Sequence, residues 1–178
     1  MNHCRCTCRP LGRLSMFRLS LALLLSVFLA GCLEEEKVGL SYRAYNHTNE
    51  HIASIVINGE GGILDAGAHG EGGGVCCVVL PQKWRPGLSA TIKWQPESDW
   101  LKDEQGREVI RDGKKVLVLA PWKERTVEVP KYTSDELDRG TFFIHFFRDD
   151  DVKVLVATRW AGYAGHPYPH PDGTNQQP

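Results

Sequence analysis

Cys76 and Cys77 stand side by side in a chain whose other four cysteines, Cys4, Cys6, Cys8 and Cys32, all lie near the start. Adjacent α-carbons are about 3.8 Å apart, below the usual disulfide range of about 4.4–6.8 Å. In a regular strand the two side chains would also point to opposite faces. Two outcomes stay open: a vicinal disulfide, or two buried reduced thiols packing as small apolar groups. Cys4, Cys6 and Cys8 alternate, a spacing unlike the Cys pairs of zinc sites.

The histidines suggest little more. His47 and His51 are separated by a turn cluster, and His166 and His170 flank prolines, so solvated side chains are expected at all four. His145 is expected at the edge of the core. No metal and no cofactor are expected. Nucleophilic catalysis lacks a Gly-x-Ser-x-Gly elbow. Gly59-Glu60-Gly61 is followed by Leu64 where a dinucleotide loop needs glycine, and no Gly-Lys-Ser/Thr follows. The chain is not expected to be an enzyme.

Cys32 belongs to a different chemistry. Residues 1–31 carry Arg5, Arg9, Arg13 and Arg18 and no acidic side chain. The apolar run Leu19–Leu29 is too short for a membrane-spanning helix, which needs about 20 residues, and has the length of a signal-peptide core. It ends in Leu29-Ala30-Gly31-Cys32. Small Ala30 and Gly31 suit a signal peptidase, and the string resembles a bacterial lipobox. Residues 1–31 are therefore expected to be a lipoprotein signal peptide, with Met16 an alternative start because Met16-Phe17-Arg18 already opens a compact signal. Cys32 is the expected lipidation site and residues 32–36 an acidic tether. By resemblance to enteric sorting, Leu33 in place of Asp favours the outer membrane, with the body facing the periplasm.

Beyond the leader the chain has 17 basic residues against 22 acidic ones and no basic cluster, which argues against nucleic-acid binding. Residues 37–160 are expected to form one β-rich domain, and the proline-bearing residues 161–178 an extended tail. Alternation of period two marks Val38–Tyr45 and Leu88–Trp94 as half-buried strands. Ile52–Ile57, Val75–Leu80, Val116–Leu119 and Arg125–Val129 add further strand candidates. Thr141–Phe147 and Val152–Thr158 flank three aspartates as a hairpin. Aromatics on both faces of the first of these strands predict that it is central and covered on both sides. Residues 59–74, with eight glycines, predict a long loop, 96–115 a polar excursion, and Ser134–Leu137 one helical turn. The sum is an all-β fold: a small antiparallel β-sandwich or open barrel of about seven strands.

Several strings together resemble a family of short bacterial lipoproteins known only as a domain of unknown function. They are Tyr45-Asn46-His47-Thr48, Val56-Ile57-Asn58-Gly59, Gly72-Gly73-Gly74-Val75-Cys76-Cys77-Val78, Ile92-Lys93-Trp94, Val129-Pro130-Lys131-Tyr132 and His145-Phe146. Members are similar to immunity lipoproteins of type VI secretion loci, which accompany lipase effectors. The resemblance implies a membrane-tethered protein that binds and inhibits a phospholipase effector. The alternative is a resident envelope lipoprotein with a ligand-binding or structural role. Loops 59–74 and 96–115 are the expected contact surface, with Trp84, Trp100 and Arg107 as candidate anchors, because buried aromatic and arginine side chains dominate such interfaces.

Overall fold

The computed structural model describes residues 35–173, apart from the side chains of residues 61–64. The expected signal peptide, Cys4, Cys6, Cys8, the lipidation site Cys32 and residues 174–178 lie outside the described residues. No described helix is long and apolar enough to cross a membrane.

The fold is all-β. Eight strands form two four-stranded sheets. One has the order β12 (Val152–Ala157), β11 (Thr141–Phe146), β1 (Lys37–Asn46), β4 (Glu71–Pro81). The other has the order β10 (Lys123–Glu128), β5 (Ser89–Pro96), β2 (Ile52–Ile57), β3 (Glu60–Ala66). Leu40, Tyr42 and Ala44 of β1, Phe142, Ile144 and Phe146 of β11, and Ile92 and Trp94 of β5 meet in one core, each no more than 4 % exposed. Spacing by two sends these side chains to one face of each strand. Four shorter strands, β6 (Asp99–Trp100), β7 (Ile110–Arg111), β8 (Lys114–Lys115) and β9 (Leu117–Val118), lie outside both sheets. A short α-helix, α1 (Ser134–Arg139), follows β10. Thr133 and Glu136 cap each other's backbone reciprocally there, which explains why a single turn forms where Ser134–Leu137 predicts one.

The expected all-β fold is present with one refinement, and two further expectations need correction. The sheets are not wholly antiparallel, because β1 and β11 pair in parallel, Tyr42 opposite Phe142 and Asn46 opposite Phe146. A parallel neighbour needs a long crossover, and here the whole second sheet supplies it. Residues 59–74 are not a loop: they hold β3 and the start of β4. Asn58 and Gly59, with φ of 52° and 77°, make the two-residue left-handed turn that joins β2 to β3, so Ile57 faces Glu60 directly. Residues 161–173 are not an extended tail either. They form successive turns laid against the outer face of the first sheet, where Ala161 and Tyr168 pack with Tyr45, Phe143 and Leu155. This is the second cover that the aromatic faces of β11 require.

Candidate functional site

The expected polar excursion is a β-arm. Asp99 and Trp100 of β6 pair with Val118 and Leu117 of β9. The Leu101 N–H donates to Val116 O at 2.7 Å, and Val109 N–H to Leu101 O at 2.8 Å. Ile110 and Arg111 pair with Lys115 and Lys114 across the Asp112-Gly113 turn, both of whose residues have positive φ. The arm's strands therefore pair with one another rather than with either large sheet, and Gln95 of β5 donates to Ala120 O at 2.7 Å where the arm rejoins the domain. Short ion pairs stiffen it: Lys102 Nζ lies 2.9 Å from Asp99, Arg107 2.8 Å from Asp103, and Lys115 2.6 Å from Glu108.

Those pairs engage six of the arm's charged side chains, while its large apolar side chains stay exposed. Of the eight large apolar residues exposed among the described residues, six fall between Trp100 and Trp122: Trp100, Ile110, Leu117, Val118, Leu119 and Trp122, at 41–69 % exposure. Exposed large apolar side chains concentrated in one element in this way are a feature of interaction sites. Lysine ammonium groups lie over the two tryptophan rings, Lys115 5.7 Å from Trp100 and Lys93 5.2 Å from Trp122. Trp100 and Arg107, both singled out by sequence, share this arm. Trp84 does not join them. It is half-buried against the main core, and its indole N–H donates to Val129 O at 2.9 Å.

Cys76 and Cys77 lie on β4, the edge strand of the first sheet, and are joined as a vicinal disulfide. Cys76 is exposed and Cys77 half-buried, so the alternative of two buried thiols does not describe them. A register shift in the β1–β4 ladder coincides with the pair: Leu40 faces Val78 and the next residue, Ser41, faces Cys76. Cys77 is the extra residue of that bulge, and strand alternation changes phase there.

Asn46, fully buried, explains the Tyr45-Asn46-His47-Thr48 string. Its amide donates to the carbonyls of Glu50, Ala66 and Gly67 at 2.7–3.2 Å, and its oxygen accepts from Thr48 N–H and Oγ1. One side chain thereby clamps the turn after β1 to the turn after β3. A family of proteins of unknown function, designated DUF3304, matches residues 45–154. The chain belongs to this family. No curated protein matches it.

The DUF3304 match runs from the end of β1 into β12, so it takes in the clamp, the cysteine pair and the arm. It also holds two of three histidines that come together on the outer face of the first sheet. His47 stacks on Phe147 at 4.4 Å, and His47 Nε2 lies 3.0 Å from His145 Nδ1. The His145 ring is fully buried, stacked on Tyr45 at 5.0 Å and against Tyr168 and His166 of the tail. His47, His166 and His170 are half-buried rather than solvated, because the tail folds over them. Burial, reinforced by the neighbouring histidines, lowers the pKa of His145 to about 2 and that of His47 to about 4. Burial also lowers that of His166. The cluster is therefore neutral imidazole at physiological pH. Among the described residues no group of three or more His, Cys, Asp or Glu side chains is placed to hold a metal ion.

Proposed function

We propose that this DUF3304 protein is an envelope-anchored binding protein that neutralises a phospholipase effector of a type VI secretion system. The observation that carries the reading is the β-arm, an internally paired element that holds two tryptophans and four aliphatic side chains out of the core. Aromatic anchors ringed by charged side chains are the usual composition of a protein-binding hot spot. Arg107 at the arm's bend adds the third residue type of such sites. The leader, ending in Leu29-Ala30-Gly31-Cys32, supports an anchored form, and the likeness to secretion-linked immunity lipoproteins supports the choice of partner. An inhibitor of a membrane-acting enzyme gains from confinement at the membrane, which raises its local concentration. Nanomolar binding, about −12 kcal/mol, would call for an interface of about 1,600 Å².

The test is co-expression in the periplasm with a phospholipase effector encoded beside this chain. Survival is expected with the chain present, together with incorporation of labelled fatty acid at Cys32. Cys32→Ala is expected to abolish the label and weaken protection. Killing that continues despite exported, folded protein rejects the role, and labelling that persists in Cys32→Ala rejects the anchor.

A further inference from the structure

A cleft of about 300 Å³ opens on the outer face of the first sheet, on the side away from the core. It lies at the lower end of the roughly 300–1,000 Å³ range of small-molecule sites. β1 contributes Arg43 and Tyr45, two residues apart and so on one face. β4 contributes Glu71, and the folded-back tail contributes Trp160, Tyr163 and His170. We infer that this cleft binds a neutral, hydroxyl-bearing six-membered ring, the pyranose unit of a saccharide.

The chemistry of the walls makes that choice. The Arg43 guanidinium lies 3.1 Å from the Glu71 carboxylate and 4.5 Å from the centre of the Trp160 ring. It rests on Gly73, where any Cβ would collide with it. Gly73 thus leaves room for the guanidinium over β4. Glu71 cancels the charge of Arg43, so a phosphate or carboxylate ligand would meet repulsion beside its attraction. A neutral ligand meets only a row of fixed donors and acceptors. The Tyr45 hydroxyl accepts from Ala161 N–H at 3.4 Å. His170 Nδ1 is held by Asp172 at 2.6 Å, which orients the ring. Trp160, 44 % exposed, offers an apolar surface beside these polar groups. Sugars have the matching duality, with C–H bonds on a ring face and hydroxyls around its rim. The tail covers the histidine cluster with Tyr168 and His166, whereas Trp160 and Tyr163 face this cleft.

The cleft shares no residue with the arm, so its test is independent of the inhibitor reading. The full chain, purified in a detergent without a sugar headgroup, has five tryptophans whose indole N–H resonances can be followed by NMR. Probes are N-acetylglucosamine, its tetrasaccharide, maltotetraose and inorganic phosphate, with retention on isolated cell-wall sacculi as a separate arm. At least one saccharide is expected to shift the Trp160 resonance and leave that of Trp84 unmoved. Trp160→Ala should weaken that binding about tenfold or more by calorimetry, with Trp160→Phe intermediate and Trp100→Ala without effect. Retention on sacculi that Trp160→Ala abolishes would identify a wall glycan as the source. Retention absent while tetrasaccharide still binds would identify free saccharide. A Trp160 resonance unmoved by every saccharide, or moved by phosphate at lower concentration than by any of them, overturns the inference. So does unchanged saccharide affinity in a folded Trp160→Ala chain.

Discussion

Along β5, Ala90, Ile92 and Trp94 are at most 3 % exposed, while along β9 and the residue after it Leu117, Val118 and Leu119 are 46–69 % exposed. Both segments are apolar and both are strands. β5 has a second sheet across from it, and β9 has only the two-residue β6 beside it. Strand pairing therefore accounts for the backbone of each region, but only the sandwich turns apolar content into stability. The arm keeps its apolar side chains available, at a cost that the fold bears elsewhere.

The largest consequence falls on the sandwich. Phe142, fully buried between β12 and β1, should cost about 3–5 kcal/mol when changed to Ala. Denaturant unfolding would show this as a lower midpoint with an unchanged slope. A loss under about 1 kcal/mol would mean that the two sheets do not pack as one core.

A middle-sized effect distinguishes the two faces of the first sheet. His47, His145 and His166 have folded-state pKa values below the ordinary value of about 6.5. The unfolded chain therefore takes up protons that the folded chain refuses. Their contribution is complete above about pH 6.5 and is lost as pH falls toward the folded values, at roughly 1.4 kcal/mol per pH unit for a fully buried histidine. Unfolding midpoints should be flat from pH 7 to 8 and fall from pH 6.5 to 5, and His47→Asn should reduce that slope. A midpoint that rises on acidification would contradict the neutral cluster.

β1 and β5 were legible from period two, and the β11–β12 hairpin from two apolar runs on either side of three aspartates. β3 and the glycine-rich start of β4, ahead of the legible Val75–Leu80, were not, since Gly61, Gly62, Gly72, Gly73 and Gly74 have no side chain to mark a face. The Asp112-Gly113 pair was a readable hairpin signal inside a polar stretch. Trp100 and Arg107 were readable as anchors by type, but Trp84 differs from Trp100 only in having a core within reach. The histidine cluster was hidden because it needs β1, β11 and the tail at once, and the parallel β1–β11 pairing joins the two ends of the domain. Proline content made the tail look extended, yet its aromatics had a sheet face to cover.

The smallest effect on stability should accompany the largest effect on binding. Ile110 and Leu119 are the two most exposed large apolar side chains among the described residues, at 64 % and 69 %. Changing both to Asp should shift stability by no more than about 0.5 kcal/mol per site. The direct measurement is survival of cells that co-express the phospholipase effector proposed as the partner with either the wild-type chain or the Ile110→Asp, Leu119→Asp chain, with the unfolding midpoint taken on the same proteins. Equal midpoints with protection lost are the predicted result. Equal midpoints with full protection would show that the arm is not the binding surface.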